Sequence, residues 1–284
     1  MSDEINYPYG YPYYSNMAND KYWKQRAKES LKESFKTADA ADAYMEEVYK
    51  KSLIDFCDKY NKLVAPYVKN GVLDKDALNL AYHSDPEFQY KYRRLQDEIT
   101  SISDTLGNKE EKRVQKTLET VYKNTMEETI GNKDLYKLDK FAVEQAVKTP
   151  WTKDGREFSG RIWKDKTEFQ QNLRATLSNA MSKGESIQKS VKEFKRIYGN
   201  TTFNTSRLIR TETLAIHNKA SVDSYKALGM EYLEVLPEAD ACSVCQEHAG
   251  KLIPVEEANE GWTIPPFHPM CKCCVMPVVK RKEE

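Results

Sequence analysis

Apolar residues recur every three or four positions over most of the chain, which is the pattern of amphipathic helices that bury one face. In the first half of the chain, one such stripe ends at Asn70-Gly71 and the next begins at Asp85-Pro86, which has the form of a helix N-cap followed by proline. These patterns predict helices over residues 38–69, 86–107, 114–130 and 135–146.

The second half of the chain repeats this pattern and then changes character. A turn-like break at Trp151–Gly155 predicts a domain boundary, and further apolar stripes predict helices over 162–181, 187–197 and 203–228. After Gly229 the alternation changes to period two, which is typical of half-buried strands. The sequence therefore predicts three short strands over 231–236, 251–254 and 275–279.

The first twenty residues differ from both halves. Residues 7–14 read Tyr-Pro-Tyr-Gly-Tyr-Pro-Tyr-Tyr, and the prolines prevent both a helix and a strand ladder. This segment is expected to be an extended arm, either as a disordered tail or as a docking arm whose rings contact a partner. We expect three parts: this arm (1–20), an N-terminal helical region (21–150) and a C-terminal domain (151–284).

Charge and composition narrow the class of protein. The 44 basic residues balance the 44 acidic residues, so no net charge indicates a nucleic-acid or membrane partner. No apolar stretch approaches the roughly 20 residues of a membrane span, and the N-terminus lacks a secretory signal, so synthesis in the cytosol is expected. The expected fold is mainly α: an elongated helical body with a small C-terminal α+β zinc-binding module.

The zinc prediction depends on a cluster of cysteines. Five of the six cysteines lie between Cys242 and Cys274, and Cys57 is isolated. Clustered cysteines without an export signal favour metal binding over a disulfide framework. A Cys-x-x-Cys pair and a later His-x-x-Cys pair are typical of tetrahedral zinc sites. Four donors are expected from a set of five: Cys242, Cys245, His268, Cys271 and Cys273.

The spacing leaves several alternatives open. Cys271 and Cys273 are two residues apart, so either can complete the site, whereas Cys274 is expected to face away as a buried thiol. His248 lies near the first pair but outside the pattern. A redox Cys-x-x-Cys, a catalytic zinc with Glu247 as acid or base, and metal-free thiols remain alternatives to a structural zinc.

The cysteine cluster belongs to a longer motif. Arg207-Leu-Ile-Arg-Thr-Glu-Thr213, then Ala215, Asn218, Tyr225 and Gly229, precede Cys242-Ser-Val-Cys245, and Pro265-Pro-Phe-His-Pro-Met-Cys-Lys-Cys273 follows. From about Phe158 to Pro277 the chain resembles the phage head-morphogenesis family, the minor head proteins related to protein F of phage Mu. One departure is Lys272, where the family often has arginine.

The resemblance implies a minor structural protein in the virion of a tailed phage, made in the bacterial cytoplasm. Such proteins are located inside the head and act in head assembly, genome packaging and ejection. The implied partners are the portal protein and the inner capsid, and no catalytic residue is expected. Contact with packaged double-stranded DNA is also implied.

Two further sets of residues carry expectations about contacts. Residues 187–226 contain eight basic and three acidic side chains, so sequence-independent DNA contact is expected there or, alternatively, a solvated helix face. The candidates for DNA contact are Lys189, Lys192, Lys195 and Arg196. Arg210 and Glu212 are expected to dock the zinc module onto the helix, since buried charges need partners.

Overall fold

The structure is a computed structural model, and it describes residues 20–70, 72–131 and 139–278. Residues 1–19 of the N-terminal arm, the predicted helix residues at 135–138 and the last residue of the predicted strand 275–279 lie outside the described residues. Asp20, the last residue of the predicted arm, is helical. The described chain is 74% helical and ends in a small sheet, which confirms the predicted mainly α fold class. Within these residues, no helix has both the length and the apolar composition needed to cross a bilayer.

Seven helices account for most of the described residues. They are α1 (Asp20–Val64), α2 (Lys75–Ser84), α3 (Pro86–Ile130), α4 (Lys140–Lys148), α5 (Phe158–Lys183), α6 (Ile187–Ala227) and α7 (Ser243–Gln246). The N-cap predicted before α3 is present, because the Asp85 carboxylate accepts hydrogen bonds from the backbone N–H groups of Glu87 and Phe88. Helix α2 was not predicted, and it begins at a similar cap in which Asp74 accepts from the Ala77 N–H.

Two predicted helix breaks are absent. Helix α3 continues through Gly107, and α6 continues through Gly199. At Gly107 a Cβ atom would lie 2.8 Å from the Trp163 ring of α5, so glycine permits close packing that offsets its low helix propensity. Gly199 has no neighbour within 4 Å of an added Cβ, and its weak propensity alone does not end a long helix.

The strands are β1 (Val68–Lys69), β2 (Val72–Leu73), β3 (Tyr232–Leu236), β4 (Leu252–Pro254) and β5 (Cys274–Val278). Strands β1 and β2 form a short antiparallel pair. In the C-terminal sheet β3 lies in the centre, antiparallel to both β4 and β5, and Leu233 is opposite Ile253 on one side and Pro277 on the other. The three strands predicted after Gly229 are therefore confirmed.

The chain forms two compact units, each assembled from separated segments. Of the described residues, unit 1 contains 20–40, 115–131, 139–157 and 207–278, and unit 2 contains 41–70, 72–114 and 158–206. Helices α1, α3 and α6 each contribute residues to both units, so this division does not follow the boundary predicted near residue 150. That boundary remains a prediction about the sequence domains.

Each unit has its own core. In unit 2 the rings of Phe56 and Tyr60 meet Phe194 edge to face at centroid distances of 5.0 and 5.1 Å. In unit 1 the Trp23 ring meets Tyr225 edge to face at 6.1 Å, and the buried faces of α1, α6 and the C-terminal sheet pack around this pair. The cysteines of the cluster, apart from the exposed Cys242, are buried in the core of unit 1.

Candidate metal centre

A one-turn helix brings the first pair of candidate ligands together. Cys242 is the N-cap of α7, and the Gln246 N–H donates to the Cys242 carbonyl at 3.0 Å. The turn places Cys245, which is 1% exposed, beneath the exposed Cys242. Two thiols on one tight turn can bind one ion from the same side.

A second turn presents His268 and Cys271. The Cys271 N–H donates to the His268 carbonyl at 3.2 Å, and Met270 adopts a positive φ of 62° within this turn. The His268 Nδ1 lies 2.9 Å from the Pro269 carbonyl, which accepts only if Nδ1 carries the proton. The lone pair of His268 is therefore on Nε2, the atom that faces the first turn.

The two turns bring their donor atoms within the range of a shared ion. The His268 Nε2 lies 3.3 Å from the Cys242 Sγ and 3.2 Å from the Cys245 Sγ, while the Cys245 and Cys271 sulfurs are 3.6 Å apart. The edge of a zinc tetrahedron with sulfur ligands is roughly 3.8 Å. Among the described residues, the clusters that can hold a metal are Cys242–Cys245–His268 and Cys245–Cys271–Cys273. Cys245 belongs to both.

The thiols of this cluster differ in their pKa values. A hydrogen bond from the Cys245 backbone N–H lowers the pKa of Cys242, whereas burial raises the pKa of Cys245 to about 12. A hydrogen bond from the Cys273 side chain lowers the pKa of Cys271 to about 5, and the same contact raises the pKa of Cys273. Of this pair, Cys271 is therefore the more acidic thiol.

The other candidates near the cluster lie outside both donor sets. Cys274 is 1% exposed in the core of unit 1, and burial raises its pKa to about 12, in agreement with the buried thiol expected from the alternation. The His248 ring stacks on Phe267 at a centroid distance of 3.9 Å. Glu247 is exposed directly after α7.

One face of α6 holds the segment that carries the second turn. Thr211, Asn218 and Tyr225 are spaced by seven residues, which is two helical turns, so they lie on one face. Thr211 accepts a hydrogen bond from the Met270 N–H at 3.1 Å, Asn218 donates to the Pro265 carbonyl at 2.9 Å, and Tyr225 donates to the Val275 carbonyl at 3.2 Å. The sequence motif contained these residues but did not reveal their contacts.

Of the two residues predicted to dock the module, Arg210 makes different contacts. Its guanidinium pairs with Asp39 of α1 and lies 5.7 Å from the centre of the Phe35 ring, in place of the predicted contact with the module. Buried Glu212 accepts a hydrogen bond from the Trp151 Nε1 at 2.7 Å. The Trp151 ring lies against Gly261, so Glu212 reaches the C-terminal segment through this indole.

The four residues predicted to contact DNA lie on the part of α6 that belongs to unit 2, and all are exposed. Lys189 pairs with Glu185, and Arg196 pairs with Glu193, each at 2.8 Å. Lys192 and Lys195 are exposed on the same stretch of helix. DNA contact at these positions stays a prediction.

His217 lies deep in unit 1. It is fully buried on α6, and its Nδ1 is 3.0 Å from the Ser34 Oγ and 3.2 Å from the Thr125 Oγ1. Burial lowers the pKa of His217 to about 3, so the imidazole is neutral in the folded protein at pH 7. The sequence offered no signal for this site, because its partners come from α1 and α3.

We expect His217 to make the protein acid-sensitive. Below its ordinary pKa of about 6.5 the unfolded chain binds a proton that the folded chain does not, so stability falls as the pH drops from about 6.5 towards 3. The expected loss between pH 7 and pH 5 is about 2 kcal/mol. The free energy of unfolding, measured with urea at pH 7 and pH 5, should therefore fall by about 2 kcal/mol less in His217→Asn than in wild type. An equal loss in both proteins would contradict the assignment.

The Cys/His segment packs on the face of α6 that carries Thr211, Asn218 and Tyr225. This part of the chain is therefore a candidate metal-binding module supported by a long helix. Residues 171–276 match the family model described as Phage Mu protein F like protein. The match confirms the resemblance inferred from the sequence over these residues, and the family is one of structural phage head proteins. Searches of curated proteins and of solved structures returned no match.

Proposed function

We propose that the protein is a minor structural component of a tailed-phage head, located inside the virion. It acts in procapsid assembly and in genome packaging or ejection, through contact with the portal protein or the inner capsid wall. The observation that carries this proposal is the family match over residues 171–276, which include the whole Cys/His cluster and the whole of α6.

An assembly experiment tests this role. The full chain is co-expressed with the portal, scaffolding and major capsid proteins of its phage, and procapsids are purified on a gradient. We expect the chain to co-sediment with procapsids in few copies and to co-purify with the portal protein when the capsid protein is omitted. Its absence from both fractions, despite soluble expression, would rule out the proposed role.

The Cys/His cluster is proposed to hold a structural zinc ion through Cys242, Cys245, His268 and Cys271. Two i,i+3 turns face each other, and the Cys245 sulfur lies within 3.6 Å of both a nitrogen and a sulfur of the second turn. Four protein ligands close the coordination sphere, as in structural sites, whereas a catalytic site keeps a position open. When bound, the ion joins two loop segments that have little regular structure of their own.

Cys271 is preferred over Cys273 as the fourth ligand. Cys271 lies on the same turn as His268, and its sulfur is 3.6 Å from that of Cys245 in the first pair. We therefore expect Cys273→Ser to retain one zinc per chain, because Cys273 lies outside the proposed set of four ligands, whereas Cys271→Ser loses the metal.

Elemental analysis together with the absorption spectrum of the cobalt-substituted protein, which reports the number of thiolate ligands, checks this assignment. Three thiolates are expected in wild type and in Cys273→Ser. Loss of zinc from Cys273→Ser with retention in Cys271→Ser would reverse the assignment.

A further inference from the structure

One side chain of α6 contacts both ends of the segment that carries the second pair of ligands. Asn218 is 0% exposed, and its Nδ2 donates to the Pro265 carbonyl at 2.9 Å and to the Cys273 carbonyl at 3.4 Å. These carbonyls bracket His268 and Cys271. A single amide thus fixes the two points at which the ligand segment enters and leaves the site.

A second side chain holds the middle of the same segment. The Thr211 hydroxyl donates to the Arg207 carbonyl at 2.6 Å within α6, which leaves its oxygen lone pairs free to accept from the Met270 N–H at 3.1 Å. Met270 lies between the two ligands and has a positive φ, a conformation that a non-glycine residue adopts at a cost. The hydrogen bond to Thr211 helps to hold this turn in place.

The helix that carries both residues is itself held firmly. Every residue from Thr211 to Val222 except Lys219 is buried. A buried helix offers fixed hydrogen-bond partners, so the ligand segment loses less conformational freedom when it binds an ion. Removing a side chain that hydrogen-bonds to a metal-binding segment, without itself touching the metal, commonly weakens metal affinity by ten- to a hundredfold.

We propose that Asn218 and Thr211 are positioning residues of the metal centre, which set its affinity for zinc without touching the ion. Asn218 fixes the two ends of residues 265–273, and Thr211 fixes the turn between His268 and Cys271. The helix and the metal are thereby coupled: α6 preorganises the second pair of ligands, and the bound ion holds the segment against α6. This inference rests on the zinc site proposed above.

Zinc affinity of the full-length protein, measured by competition with a chromophoric chelator, tests the inference. The informative variants are Asn218→Ala and Thr211→Val; Thr211→Val keeps the shape of the side chain but removes the hydrogen-bond acceptor. We expect each variant to bind zinc ten- to a hundredfold more weakly than wild type, with unchanged helix content by far-UV circular dichroism. Hydrogen exchange at the Met270 N–H should also become faster in Thr211→Val.

Two control variants separate positioning from general stability. Thr211→Ser keeps the hydroxyl and should restore wild-type affinity. Ser221→Ala removes another buried hydroxyl of α6, whose hydrogen bond at 2.9 Å goes to the His217 carbonyl within the helix, and it should leave zinc affinity unchanged.

The outcomes distinguish this inference from the zinc site on which it rests. A wild-type protein that binds no zinc would remove the proposed metal site. If the wild-type protein binds zinc and a folded Thr211→Val binds it with equal affinity, the positioning role of Thr211 would be overturned while the zinc site stands. If Asn218→Ala does not fold, the comparison of Thr211→Val with Thr211→Ser decides.

Discussion

Replacing Cys245 by serine is expected to remove the metal and to unfold the Cys/His module (residues 231–278), while α1 to α6 stay helical. Cys245 is the residue shared by both donor sets, so neither Cys271 nor Cys273 can compensate for its loss. Structural zinc sites contribute on the order of 10 kcal/mol to the folding of small modules. The regular structure of this module is limited to the one-turn α7, a 3-10 turn at Val255–Glu257 and a three-stranded sheet.

The measurements are zinc content by elemental analysis, limited proteolysis, and hydrogen exchange over residues 231–278. We expect less than about a tenth of the wild-type zinc, rapid cleavage within the module and a far-UV spectrum close to that of wild type. Cys57→Ser is the matched control, because Cys57 is a half-buried cysteine of unit 2 outside the cluster.

The result can contradict the proposal in two ways. If Cys245→Ser keeps a full zinc ion, another set of residues holds it. If the variant loses zinc and the module keeps its hydrogen-exchange protection, the ion is bound but does not stabilise the fold, and its structural role would be wrong.

The parts of this site that local chemistry determines could be predicted from the sequence. The Cys-x-x-Cys and His-x-x-Cys spacings indicated two pairs of metal ligands, and the period-two pattern after Gly229 indicated β3, because each signal acts over a few neighbouring residues. The buried position of Cys274 followed from the same alternation.

The parts that long-range packing determines could not be predicted in this way. Arg210 pairs with Asp39, which is 171 residues away in sequence, and nothing near Arg210 indicates that partner. The Asn218 contacts with Pro265 and Cys273 are equally remote. Gly107 was mistaken for a helix end because its low propensity is visible in the sequence, whereas the Trp163 ring that packs against it is not.

The buried ion pair of unit 2 could not be predicted from the sequence for the same reason, because its two members lie on different helices. Lys166 is 1% exposed and Glu110 is 2% exposed, and the Lys166 Nζ lies 2.8 Å from the Glu110 Oε2 and 2.9 Å from the Asp165 Oδ2. Burial and the neighbouring Glu110 raise the pKa of Tyr49, so its phenol keeps its proton and donates to Glu110 at 2.7 Å.

Glu110→Gln is expected to destabilise unit 2 by about 3 kcal/mol, because removing one member of a buried ion pair leaves the charge on Lys166 only partly compensated by Asp165. The double variant Glu110→Gln/Lys166→Met removes both charges and should recover part of this loss. Urea unfolding followed by circular dichroism gives the change in the free energy of unfolding.

The matched control for this prediction is an ion pair on the surface of the same unit. Lys62 and Asp58 lie 2.6 Å apart on α1, with side-chain exposures of 74% and 56%, so Asp58→Asn should cost less than about 0.5 kcal/mol. If Glu110→Gln costs no more than Asp58→Asn, water or a rearranged side chain compensates the Lys166 charge. The buried contacts of Lys166 with Glu110 and Asp165 would then contribute little to the stability of unit 2, however short they are.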